Sequence, residues 1–249
     1  VRDLEAQSTD PRPGTVDDVI ALLENIDQSL PAQDGVACFN RMYLTVTQLV
    51  RGRLADGFFA DAARMQALDL TFAGLYLDAV AADTSGAAVP TAWAPLFARR
   101  HDSRVAPIQF AVAGMNAHIN HDLPVAVATS CEAAHADPDS GSFHGDYLRI
   151  NQLLAETEQQ VRESFMSGLM LQADQQASPV LDVISTWSID RARDAAWVNA
   201  NVLWHLLHLG PVHDAFADTL AGTVGLVTAA LLAPVMPVAV PPKLGVSRH

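Results

Sequence analysis

The chain has 249 residues, half of them hydrophobic and only 17% charged, with a formal net charge of −13. That balance supplies apolar surface for one large core and excludes an intrinsically disordered chain. The negative charge opposes nucleic-acid phosphates and anionic lipid, and favours cations such as amines or metal ions.

The apolar period is near 3.6 throughout, with no convincing run of alternation, so the expectation is all-α: a single compact domain of about eight to nine helices, not a regular four-helix bundle. Residues 1–14 are polar with two prolines and read as a flexible arm; the helical domain spans 15–235, and 236–249 form an extended proline-rich tail. Thr15 is an N-cap with Asp17 and Asp18 in the first turn, and Val16, Ile20, Leu23 and Leu30 make the inward stripe of a helix ending at Pro31 and Gly35. A second helix runs from about Val36 to Leu54, with Phe39, Met42, Val46 and Leu49 inward. Asp61 caps a third, with Met65, Leu68, Phe72 and Leu75 inward, which ends near Ser85–Gly86.

Residues 90–100 form a short helix carrying Trp93 and Phe97. Pro107 suits the first position of the next helix, which must stop or kink at Pro124. Residues 136–142 are a loop, and a long helix follows from about Phe143 to Leu171. Pro179 opens another, interrupted near Ser188 and continuing to Gly210 as its stop. Pro211 opens the last. The uncharged stretch 220–240 has the length of a membrane span, but Pro234 and Pro237 break it, so it reads as a buried core helix followed by a tail.

Cys38 and Cys131 are too few for a disulfide framework or a cysteine-based zinc site and read as buried free thiols. The N-terminal segment has no apolar signal core, so a reducing cytoplasm is expected. The bias towards Arg, Ala and Val, with Lys243 the single lysine, fits a GC-rich bacterial genome.

Function is sought in polar residues on apolar faces. After Pro107, Ile108, Val112, Met115 and Ile119 fall within about 60° of one another. His118 and Asp122 lie on or beside that stripe, four apart, so their side chains can meet. Such a pair can move protons near neutral pH or give two metal ligands; a satisfied core histidine is the plainer alternative. Gln109, Asn116 and Asn120 form a neighbouring polar strip, read as a cleft wall or a solvent face. On the long helix, Phe143, Tyr147, Leu154, Val161 and Phe165 make the stripe, with Glu158 near its centre and Asn151 at its edge. A carboxyl there titrates high unless it is paired, which suits a general acid or base; an ion pair with an arginine is the alternative. Between 190 and 209, Trp197, Asn201, Trp204 and His208 share one face, extended by Arg193 and Asp190. Val198, Val202, Leu206 and Leu209 form another, read as the ordinary core face. Asp69 is a further inward carboxylate.

No glycine-rich phosphate loop, HExxH, GxSxG or paired ExxH pattern is present, and the lone lysine near the tail disfavours a Schiff base. The segment Trp93–Val127, with GMNAHIN followed by DLP, together with CFNRMY at Cys38–Tyr43, DYLRIN at Asp146–Asn151 and RDAAW at Arg193–Trp197, resembles an uncharacterised, mostly actinobacterial family of unknown function. The resemblance covers most of residues 15–235. It implies a helical fold, gives no reaction, and carries over Asn116, His118, Asn120 and Asp122; His121 stands where a basic residue is commoner. A motif-free association with helical proteins that close aziridine rings in azinomycin-like pathways implies secondary metabolism.

The resulting expectation is an acid/base enzyme, independent of metals and cofactors, acting on a small amine-bearing molecule by proton abstraction, elimination or ring closure. His118, Asp122 and Glu158 are its catalytic candidates. Asn116, Asn120, Tyr147, Asn151, Arg193, Trp197 and Asn201 are its substrate-binding candidates. Two rival readings stand beside it: a metal-dependent hydrolase using His118, Asp122 and Glu158, and a non-enzymatic binding or partner subunit. The expected partners are the small molecule and either a second copy or a small helical subunit, with neither nucleic acid nor membrane.

Overall fold

The protein is described here from a computed structural model that places residues 13–154 and 188–234. These residues form a single all-α domain, and none of them is in a strand. In chain order the helices are α1 (Val16–Ser29), α2 (Gly35–Ala55), α3 (Ala62–Ser85), α4 (Ala94–Arg99), α5 (Pro107–Ala117), a π-helical turn (His118–Asp122), α6 (Leu123–Ala133), α7 (residues 143–154), α8 (Ile189–Leu206) and α9 (Pro211–Leu231).

Local chemistry sets most of these boundaries. Thr15 and Asp18 cap each other: the Thr15 hydroxyl accepts from the Asp18 amide at 3.1 Å, and the Asp18 carboxylate accepts from the Thr15 amide at 2.9 Å. Asp34 caps α2 by accepting from the Val36 amide at 2.8 Å, and Asp61 caps α3. Gly86, in the left-handed conformation at φ 72°, ends α3. Pro107 and Pro211 open α5 and α9 as expected. Ser188 is the N-cap of α8, and Gly210, at φ 38°, is the N-cap of α9; α8 itself stops at Leu206.

Every residue from Ile108 to Ala117 is buried, which makes α5 the central helix. Helices α2 and α9 pack directly on it, α1 packs on α2, and α8 covers α6. A helix buried all round has no solvent face, so its amides must be satisfied inside the protein. Gln109 donates to the carbonyls of Leu231 and Ala233, both at 2.8 Å, and accepts from the Ala106 amide. Asn116 donates to the Val224 carbonyl and the Thr228 hydroxyl, and accepts from Asn120. The polar strip of α5 is therefore neither a cleft wall nor a solvent face: it clamps the C-terminal helix.

Further expectations are corrected. Helical structure does not stop at Pro124 but continues into α6. The five-residue π turn shifts the hydrogen-bond register, with the Leu123 amide donating to the His118 carbonyl, and Pro124 falls in the first turn of α6. There the amide that proline lacks is not needed. The face of α8 expected to be its ordinary core face is not buried at Val198, which is 62% exposed, nor just beyond the helix at Leu209, which is 53% exposed; Arg193, Ala196, Trp197, Ala200 and Leu203 are buried instead. Finally, α9 is not a core helix. It is long and apolar enough to cross a membrane by length and composition, yet only 17% of its most apolar window is buried, and Leu226 is 75% exposed. Leu49, expected inward, is 38% exposed. Residues 1–12, 155–187 and 235–249 lie outside the described residues, and with them Glu158, Pro179 and the expected tail.

Helices α2 and α5 approach through a reciprocal exchange of glycine and phenylalanine. A Cβ on Gly35 of α2 would sit 2.4 Å from the Phe110 ring of α5, and one on Gly114 of α5 would sit 2.4 Å from the Phe39 ring of α2. Both are aromatic carbons locked in the core, so neither can yield cheaply. Gly114→Ala is expected to destabilise the fold by about 1–3 kcal/mol through overpacking. Gly52, inside α2, has open space around it, with nothing within 4 Å of where a Cβ would stand; Gly52→Ala is expected to stabilise by roughly 0.5–1 kcal/mol. Urea denaturation of the two variants checks both signs.

Candidate functional site

Asp122 closes the π turn and is buried. Its Oδ2 accepts from the indole Nε1 of Trp93 at 2.9 Å and from Nδ1 of His118 at 2.9 Å; its Oδ1 accepts from Nδ1 of His121 at 2.7 Å. Burial alone would raise this carboxyl, but the hydrogen bonds from His118 and His121 outweigh it and hold it below the usual carboxylate range. An ionised carboxylate only accepts. Each imidazole therefore donates through Nδ1, which leaves Nε2 of His118 as an acceptor.

That Nε2 is buried and has no hydrogen-bond partner. Burial, partly opposed by Asp122, lowers the pKa of His118, so the ring is neutral. It lies between aromatic groups: Phe72 of α3 stacks on it at 3.6 Å between centroids, and Tyr43 of α2 meets it edge-on at 4.5 Å. Phe39, Tyr76 and Trp93 complete the surround. The imidazole is thus fixed in both tautomer and orientation.

His118 lines a cavity of about 110 Å³ between α2, α3 and α5, with residues of α7 and α8 also in its wall. Most of its wall is apolar, including Met42, Met65, Leu68, Phe72, Val112, Met115 and Leu154. Four polar side chains reach it besides Thr47: His118, Tyr43, Asp69 and Arg193. The Tyr43 hydroxyl and the Asp69 Oδ2 are buried and, like the His118 Nε2, lack a hydrogen-bond partner. Burial pushes the Asp69 carboxyl up to about 7. Burial first, then the charge of Asp69, raise the Tyr43 phenol well above its ordinary value. Three residues that line one apolar space each carry an unpaired buried polar atom, which is costly to keep and makes the space a candidate site for a ligand.

The remaining candidates are distributed unevenly. Arg193 reaches the cavity and belongs to a second cluster: its Nε donates to Asn151, its Nη2 donates to the Tyr147 carbonyl at 2.8 Å, and its guanidinium lies 4.1 Å from the Tyr147 ring centroid. The Tyr147 hydroxyl donates to the Arg193 carbonyl at 2.7 Å. Trp197 stacks on His144 at 4.2 Å and donates to Asp139, and Asn201 donates to the Trp197 carbonyl. Tyr147, Asn151 and Trp197 thus fix α7 against α8, and of the cluster only Arg193 lines the cavity. Asn116 and Asn120 belong to the α9 clamp and do not line it. Glu158 lies outside the described residues.

Tyr43, Phe72 and Trp93 were not marked as site residues by the sequence. The available signal was Tyr43, whose polar tip follows Phe39 and Met42 on an apolar stripe. For a metal, Nε2 of His118 is free, but both oxygens of Asp122 already serve three donors. Among the described residues no group of three or more His, Cys, Asp or Glu side chains is placed to hold an ion.

The shift at Asp69 has a measurable consequence. A carboxyl raised in the folded state costs nothing below the unfolded value of about 4 and costs progressively more as pH rises through about 7. Asp69→Asn is therefore expected to match the wild type below pH 4 and to exceed its stability at pH 8 by roughly 1–3 kcal/mol. Denaturant titrations at the two pH values measure the difference.

No curated protein and no solved structure matches the chain. A family profile does, over residues 16–234, which include α1 to α9 and the whole of the described site. The chain belongs to that family, a family of unknown function (DUF5995).

Proposed function

We propose that the protein is an acid/base enzyme for a small, mainly apolar molecule, with His118 as the group that takes and returns the proton. The observation that carries this reading is the unpartnered lone pair on Nε2 of a buried, neutral imidazole whose residue lines an apolar cavity. Asp122 supplies the two things such a base needs. It fixes the tautomer, and it stabilises the imidazolium formed when the proton arrives, as carboxylates do beside histidine in acyl-transfer triads. Trp93 and His121 keep that carboxylate ionised and stationary.

The chain's acidity motivates an amine-bearing substrate, but net charge is a property of the whole molecule. At the cavity, burial drives His118, Tyr43 and Asp69 towards their neutral forms. A substrate entering that space is neutral, an amine only as its free base. Proton abstraction, elimination and intramolecular ring closure all fit, because each needs positioning and one base. The reading places the protein in bacterial secondary metabolism and in the cytoplasm, where Cys38 and Cys131, both free and buried, are stable.

Alkylation tests the proposal. Phenacyl bromide, small and apolar, is expected to modify Nε2 of His118 ahead of the other eight histidines, giving one adduct by intact mass and peptide mapping. His118→Gln abolishes that adduct. Asp122→Asn slows it at least tenfold, because the amide no longer fixes the Nδ1–H tautomer. An adduct spread over surface histidines such as His101 and His213, with His118 untouched, refutes the assignment.

A further inference from the structure

His118 accounts for one of the three unpartnered atoms at the cavity. The other two, the Tyr43 hydroxyl and the Asp69 Oδ2, remain. They come from adjacent helices. Asp69 precedes Phe72 by three residues on α3, one turn along the same face, and Phe72 packs edge-on to Tyr43 at 6.0 Å while stacking on His118. Tyr43, Asp69 and His118, each with an unpartnered polar atom, therefore line one apolar space whose wall is shared by α2, α3 and the π turn.

Resting on the acid/base reading of His118, we infer that the cavity takes a small apolar carbonyl compound, with the Tyr43 hydroxyl and the Asp69 carboxylic acid donating hydrogen bonds to its oxygen. His118 removes a proton from the adjacent carbon. In that step the C–H bond breaks, its electron pair becomes the C=C bond of an enol or enolate, and the carbonyl π pair moves onto oxygen. The proton rests on Nε2, giving an imidazolium paired with Asp122. Return of that proton to another conjugated carbon completes isomerisation with no other reactant; exchange of the imidazolium proton with water before reprotonation of the same carbon gives hydrogen exchange.

Several observations favour a carbonyl over an ammonium ion. An ammonium would have to be stripped of water and paired with a buried carboxylate, an exchange in which the cost of desolvation rivals the attraction. Both oxygen groups are instead pushed towards their protonated, donating forms by burial. A carboxylic acid kept neutral in an apolar site beside a tyrosine is an established way to hold an oxyanion. The cavity, about 110 Å³, is comparable with apolar cavities of about 150 Å³ that take one benzene ring. Three methionines in its wall, Met42, Met65 and Met115, can adapt to the outline of such a ring.

Two probes separate this inference from the reading it rests on. The first is 4-nitrophenol, whose coloured anion mimics the enolate oxygen and needs no base. The full chain is expected to bind the anion, and Tyr43→Phe and Asp69→Leu to weaken it about 10- to 100-fold each. Asp69→Asn, which keeps a neutral donor, is expected to stay within a few-fold of wild type and to lose the weakening that wild type shows above pH 7. The second probe is cyclohexanone in D2O, with deuterium entry at its α-carbons followed by proton NMR. Exchange is expected with the wild type and absent in His118→Ala, while that variant still binds the phenolate. No phenolate binding, or binding unchanged in both Tyr43→Phe and Asp69→Leu, overturns the donor pair. Binding of cyclohexylammonium that is lost in Asp69→Asn also overturns it and makes Asp69 a counter-ion. Phenolate binding as expected, with exchange undiminished in His118→Ala, leaves the donor pair standing and removes His118 as the base.

Discussion

A carboxylate buried among aromatic rings must be answered by hydrogen-bond donors or lose its charge, and Asp122 is answered three times, by Trp93, His118 and His121. Much of the interior follows from meeting that requirement. Trp93, fully buried, must come from the segment before α4 to reach it; His118 and His121 must come from the same helical turn. The π turn places both imidazoles around one carboxylate and lets the chain run on through Pro124 into α6. The reciprocal packing of Gly35 on Phe110 and Gly114 on Phe39 then brings α2 close enough for Tyr43 and Phe39 to enclose the His118 ring.

The polar interior falls into two parts with different physics. Around Asp122, and in the clamp that Gln109 and Asn116 make on α9, the donors named above have acceptors at hydrogen-bond distance, as a stable core demands. At the cavity wall that rule is broken three times within one space, at His118, Tyr43 and Asp69. Among the described residues Arg64 Nε and Ser130 Oγ are also unpartnered, but only at the cavity do three such atoms belong to the wall of one space, an instability that a ligand there would relieve. The raised Asp69 carboxyl expresses the same tension as a free energy that grows with pH.

Local signals in the sequence were sound guides. Thr15, Asp61, Pro107 and Pro211 mark helix starts because capping depends on residues three or four apart, and the meeting of His118 with Asp122 is legible for the same reason. Long-range pairings were not. Trp93 and Asp122 are 29 positions apart, and nothing local announces that they share a hydrogen bond. Face arguments failed where helices depart from the one-sided pattern they assume: α5 is buried all round, and α8 offers two comparable faces of which the one with arginine and tryptophan goes inward. The partners that hold the Arg193 guanidinium, Asn151 and the Tyr147 carbonyl, belong to another helix, and no local pattern in α8 announces them.

The attachment of α9 has a consequence for its outer surface. Gln109, Asn116 and Arg99 grip this helix by the carbonyls of Val224, Leu231, Leu232 and Ala233, and Gly225 rests against the main chain at Thr91. Most of these tethers read backbone and not side chain. The outward residues of α9, Leu226 and Val227 among them, are thereby released from the demands of folding and can change while the helix stays in place. The outer surface of α9 can therefore be altered without disturbing the interior that holds the π turn.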